Sequence, residues 1–154
     1  MKDSFLRKLL ATSLLITSLT YGNSAVAHSV GNLIDATGIN ASATDVYQIS
    51  CFDDGGGPTA YLFIQIQDGS IPVPGLLVSA QAYFDQTKIM TNTSDPISGD
   101  ANASPGVQLS GGNGNYILSV SKTAVGARQY NITVHCWSVN GEHTGTDINT
   151  LQLQ

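Results

Sequence analysis

Positive charge is scarce in this chain. Six Lys and Arg stand against eleven Asp and Glu in 154 residues, for a net charge of −5. Three of the cations, Lys2, Arg7 and Lys8, fall at the very start, leaving Lys88, Lys122 and Arg128 scattered through the rest. No basic patch can be assembled from these, which excludes the phosphate-neutralising surface of a nucleic-acid binder and disfavours docking on an anionic membrane. Methionine is equally rare: beyond Met1 there is only Met90, so a Met-rich Cu(I) site is excluded. The two cysteines do not form a Cys-x-x-Cys pair, which argues against a zinc ribbon or a thioredoxin-like centre. Gly-x-Ser-x-Gly is absent, and no Asp spacing fits an EF-hand. No apolar run reaches the roughly 20 residues needed to span a bilayer. Helical periodicity of useful length is also missing after residue 27.

The N-terminus has the order of a signal peptide. A charged start, Met1 to Lys8, leads into an apolar run from Leu9 to Leu19 and then to Ala25-Val26-Ala27. Small residues at these last positions suit cleavage after Ala27. The expected division is therefore a signal peptide over 1–27 and one domain over 28–154, secreted or delivered to a periplasmic or extracellular space. The mature chain would carry three Lys and Arg against ten Asp and Glu, net −7, and would begin at His28. No membrane span would remain. In an oxidising compartment Cys51 and Cys136 are expected to pair.

The remaining chain reads as short strands. Asp45 to Cys51 alternates with Tyr47, Ile49 and Cys51 on one face. Thr59 to Gln67 places Ala60, Leu62, Ile64 and Ile66 together, with Tyr61 and Phe63 opposite. Leu76 to Phe84 sets Val78, Ala80, Ala82 and Phe84 in register. Lys88 to Thr91 and Val107 to Ser110 are shorter candidates, and Leu33-Ile34 is the start of a first edge strand. Tyr116 to Lys122 turns Tyr116, Leu118 and Val120 inward. Arg128 to Ser138 divides most cleanly: Tyr130, Ile132, Val134 and Cys136 on one face, Asn131, Thr133, His135 and Trp137 on the other. A last strand lies within Thr144 to Leu153. The turns between them are rich in Gly, Asn, Asp and Pro, and Asn92 to Gly106 is a long polar loop of the kind often functional or mobile. The expected fold is all-β: a single antiparallel β-sandwich, jelly-roll or Ig-like, with one disulfide joining the Cys51 and Cys136 strands across its layers.

The Gly114-Asn-Tyr-Ile-Leu-Ser-Val hairpin, followed by Tyr130-Asn-Ile-Thr-Val and preceded by Asp45-Val-Tyr-Gln-Ile, resembles bacterial pre-peptidase C-terminal domains. The resemblance covers about half of the expected domain. It implies a small secreted jelly-roll-like sandwich and carries over no catalytic residue.

Three histidines remain after cleavage: His28, His135 and His143. An N-terminal His offers an α-amine and a ring nitrogen together, and a second His completes a nitrogen set suited to Cu(II). This resembles the histidine brace of secreted copper proteins. The resemblance implies His28 as the N-terminal ligand, with His135 or His143 as its partner and Asp or Glu142 behind it. A lytic polysaccharide oxygenase is disfavoured, since the chain is short and Trp137 alone does not make a flat aromatic face.

The orientation of His143 depends on the hairpin. A two-residue Asn140-Gly141 turn would pair Ser138 with His143 and put it on the Cys136 face. Burial of Ile148, Thr146 and Thr144 would instead turn His143 outward with His135, and would need an odd-length loop or a bulge at Gly145. The second register is preferred because a buried face specifies register strongly. Leu151 and Leu153 break parity and demand a kink or a frayed end. Calcium at Asp53-Asp54 or at Asp95 and Asp100 is a lesser expectation, because Asp in Gly-rich turns usually serves the turn. The functional expectation is a secreted, non-catalytic β-sandwich that binds Cu(II) through His28 with His135, His143 or both. The alternative is a metal-free structural or interaction module for a protein, glycan or envelope partner.

Overall fold

The computed structural model describes residues 28–154, so the expected signal peptide lies outside the described residues. Nine strands form: β1 (His28–Ile34), β2 (Thr44–Phe52), β3 (Thr59–Asp68), β4 (Val78–Phe84), β5 (Ile89–Ser94), β6 (Val107–Leu109), β7 (Gly114–Lys122), β8 (Arg128–Ser138) and β9 (His143–Gln152). Every pairing is antiparallel. The fold is all-β with the expected disulfide. The layers are not separate sheets, however. β9 pairs with β8 at its first residues and with β2 thereafter, which joins the strands in the order β5-β4-β7-β2-β9-β8-β3-β6, with β1 beside β8. The end strands β5 and β6 lie against each other, and Thr93 Oγ1 donates to Pro105 O at 2.7 Å across the seam. The sheet is thus curled into a nearly closed barrel, which protects edges that would otherwise be open to pairing.

Alternation accounts for the core. Tyr47, Ile49, Leu118, Ile132 and Val134 are buried, and Cys51 and Cys136 bridge β2 to β8 with Cα atoms 5.6 Å apart. Two departures from strict alternation matter. Ala60 leaves the core face because the β3–β8 ladder shifts between Thr59 and Tyr61, so Thr59 is buried in its place. At the far end of β9, Tyr47 pairs with Thr150 but Val46 with Gln152; Leu151 is the extra residue, and this bulge is the kink that the parity of Leu151 and Leu153 required. β1 is longer than Leu33-Ile34 alone indicated, because its pairing with β8 runs from His28 to Ile34.

The cations are used internally. Lys122 Nζ donates to Asp35 Oδ2, Asn40 O and Ala124 O, each at 2.8 Å, and this ammonium holds the Asp35 carboxyl well below the usual carboxylate range. Arg128 is buried against Asp68, with Nη1 donating to Ile71 O and Nη2 to Ser98 Oγ. Lys88 pairs with Asp85 at the surface. Each cation of the described residues therefore has a carboxylate partner, which removes what little positive surface the sequence offered. The long loop is also tied down: buried Asp95 accepts from Asp68 N at 2.7 Å, and Ser104 exchanges bonds with the backbone of Ile66. Among the described residues no helix is long and apolar enough to cross a membrane.

Candidate metal centre

The site starts from β8. Val134 and Cys136 point inward, so His135 and Trp137 stand on the outer face. The β8–β9 hairpin then decides where His143 goes. Ser138 N donates to Glu142 O at 2.9 Å, and Gly141 N donates to Ser138 O at 3.1 Å. Val139, Asn140 and Gly141 thus form a three-residue loop, and Gly141 takes the left-handed φ of 76° that such loops place in their last position. The odd length pairs Trp137 with His143 and Cys136 with Thr144, so His143 shares the outer face with His135. No bulge at Gly145 is involved in this turn.

β9 leaves β8 after Thr144 and crosses to β2, where Gly145 pairs with Phe52. β1 takes over the same edge of β8, with His28 opposite Val134. The starts of β1 and β9 therefore meet along one edge, and this is what brings His28 to the other two rings. The His28 ring stacks on His143 with centroids 5.5 Å apart and planes 13° apart. His135 meets His143 edge-on at 5.2 Å, and their Nδ1 and Nε2 atoms are 3.1 Å apart. Trp137 borders both, 5.5 Å from His143 and 5.8 Å from His135, with Phe63 behind His135 at 6.5 Å.

One ligand atom from each histidine lies within 4.8 Å of the others, and all three side chains are half-buried. Metal–nitrogen bonds of about 2.0–2.1 Å set donors about 3 Å apart when adjacent and about 4 Å when opposed. To share one ion, a pair at this 4.8 Å limit would close by about 1 Å if opposed and by about 2 Å if adjacent. Two further features suit this chemistry. His28 Nδ1 is buried without a hydrogen-bond partner, a costly state that a ligand bond would relieve. Burial first, and then the neighbouring imidazoles, push His135 and His143 below the ordinary histidine range; Asp54 pulls His143 weakly the other way. Neutral imidazole is the form that ligates.

The other candidates are engaged elsewhere. Cys51 and Cys136 are bonded to each other and offer no thiolate. Asp53 Oδ1 accepts from Gly55 N and Gly57 N, and Asp100 Oδ1 from Asn102 N, so these carboxylates close their own turns. Among the described residues the histidine trio is the one group of three or more His, Cys, Asp or Glu whose ligand atoms come together. Sequence reading did not find the buried Asp35–Lys122 and Asp68–Arg128 pairs. Their signal was parity: Lys122 continues the inward set of Tyr116, Leu118 and Val120, and Arg128 that of Tyr130 and Ile132. No protein-family model matches the chain, and no curated protein sequence matches it.

Proposed function

We propose that this is an exported, non-catalytic copper-binding protein that holds Cu(II) through His28, His135 and His143. The observation that carries the reading is the convergence of three imidazoles, one with a buried and unpartnered Nδ1. An all-nitrogen donor set without thiolate or thioether favours Cu(II) over softer-ligand alternatives, and Cu(II) heads the affinity order among divalent first-row ions for such sites. Cleavage after Ala27 would add the α-amine of His28, which closes a six-membered chelate with Nδ1. The disulfide is in keeping with delivery to a periplasmic or extracellular space.

The single tryptophan, Trp137, sits beside the site and reports on it. Cu(II) titrated into protein beginning at His28 is expected to quench its emission with one equivalent. The same protein with one Ala before His28 is expected to bind at least about tenfold more weakly, since a peptide nitrogen replaces the amine. Equal binding by both forms would remove the amine from the ligand set. Absence of saturable binding in either form would sink the copper reading and leave the interaction module.

A further inference from the structure

The connection between β2 and β3 wraps over the first residues of β9, and its details are matched to His143. Three consecutive glycines occupy it for two different reasons. Gly55 and Gly57 have φ of 110° and 93°, and a Cβ at either would meet nothing within 4 Å, so they serve the turn. Gly56 has no such backbone demand. A Cβ there would lie 2.5 Å from the carbonyl oxygen of His143 and 3.6 Å from Asp54 Oδ1. Gly56 is thus a close-approach glycine laid on the His143 peptide, with the Asp54 carboxylate beside it. Asp53 holds this shape through Gly55 N at 2.9 Å and Gly57 N at 3.1 Å, and Asp54 Oδ1 accepts from Gly56 N at 3.4 Å.

The neighbouring residues of β9 are clamped from the same side. Thr144 Oγ1 meets Thr59 Oγ1 at 2.7 Å, both buried. Gly145 lies under the Phe52 ring, and a Cβ there would overlap the ring carbons. Phe52, Gly56 and Thr59 therefore fix three successive residues of β9, beginning with His143. This clamp is more than the hairpin needs, since the three-residue loop already sets the register. What it adds is control of the His143 main chain in a place where the side chain's own bonded partner is another histidine.

We infer that the segment Phe52–Thr59 is the positioning device of the metal centre: Gly56 sets the His143 backbone, and Asp54 places a negative charge beside it that favours a bound cation. This rests on the proposed metal site. Asp54 Oδ1 accepts from Gly56 N and makes no hydrogen bond to the His143 ring, so its effect on a bound ion is that of a nearby charge. Gly56 and Asp54 are positioning residues; neither is offered as a ligand.

The test uses protein beginning at His28, with Cu(II) alone as probe. Gly56→Ala, Asp54→Asn, Asp54→Glu and the charge control Asp100→Asn are compared by Trp137 quenching, by the Cu(II) electron paramagnetic resonance spectrum and by thermal melting. Asp54→Asn is expected to weaken Cu(II) binding severalfold, with melting little changed; Asp54→Glu is expected to recover most of the loss, and Asp100→Asn to behave as wild type. Gly56→Ala is expected to change both affinity and spectrum. Should Gly56→Ala fail to fold, the Asp54 pair decides alone. Wild-type spectra and affinity in both Asp54→Asn and folded Gly56→Ala would overturn the inference while leaving the copper site standing. Absence of binding by the wild type would instead refute the site itself.

Discussion

Replacing both Cys51 and Cys136 by Ala tests how much of this barrel depends on its cross-layer bridge. The bridge spans 85 residues of sequence. In the chain-entropy account a loop of that size removes about 15 cal/mol/K from the unfolded ensemble, or about 4–5 kcal/mol at 25 °C. Unfolding of residues 28–154 carries an entropy on the order of 270 cal/mol/K near the midpoint, so the loss corresponds to a fall of roughly 17 °C. Both side chains are buried, and Ala avoids leaving a new hydroxyl unpaired there. Thermal melting and guanidinium titration of the double variant measure the difference. A thiol assay on unreduced, denatured wild type should find no free thiol. The site supplies a second readout, because Cys136 lies between His135 and Trp137 and the bridge holds that part of β8 to β2. The proposed copper binding is expected to weaken along with stability. A melting change below about 5 °C would refute the claim that the bridge constrains the unfolded chain as this loop length implies.

Arg128→Met should destabilise by about 3–5 kcal/mol, since it leaves the Asp68 carboxylate buried without its cation; a chemical-denaturation difference below about 1 kcal/mol would show that the pair is dispensable. The metal-free protein should lose stability on acidification. His135 and His143 are held below their ordinary range mainly by burial, so the unfolded chain takes up more protons as pH falls through about 6.5. Their contribution is fully present above that pH and declines below it until the folded-state values are passed. Melting temperatures across pH 5–8 should show this slope, and the double variant His135→Asn/His143→Asn should flatten it. Gly145→Ala should unseat the Phe52 ring and lower the melting temperature, whereas Gly141→Ala, in open space but at φ 76°, should cost only the backbone strain of its turn, of order 1 kcal/mol. Equal losses at the two glycines would contradict this division.

The strand pattern was legible because local alternation and turn chemistry carry it. Tyr47–Ile49–Cys51 and Tyr130–Ile132–Val134–Cys136 each mark a buried face, and the cysteines at the ends of both runs marked the bridge between them. The orientation of His135 followed from the same period of two. That His143 would join it was legible as a preference, since the apolar parity of β9 outweighed the Asn140-Gly141 turn signal; the three-residue loop is how the backbone satisfies both. The bulge at Ala60 was not legible, because an alanine fits either face and gives no parity signal. Composition alone leaves Lys122 and Arg128 as scattered surface cations, because it weighs charge without position, although both obey the parity of the core.

The sequence by itself determined the all-β character, the pairing of the cysteines and the scarcity of cations, because each depends on residues near one another in the chain or on simple counts. The meeting of His28 with His135 and His143 depended on tertiary structure alone. It arises where β9 leaves the edge of β8 and β1 replaces it, a switch between strands more than a hundred residues apart in sequence. Strand alternation says which way a side chain points along its own strand. Which two strand ends share an edge is a property of the whole sheet.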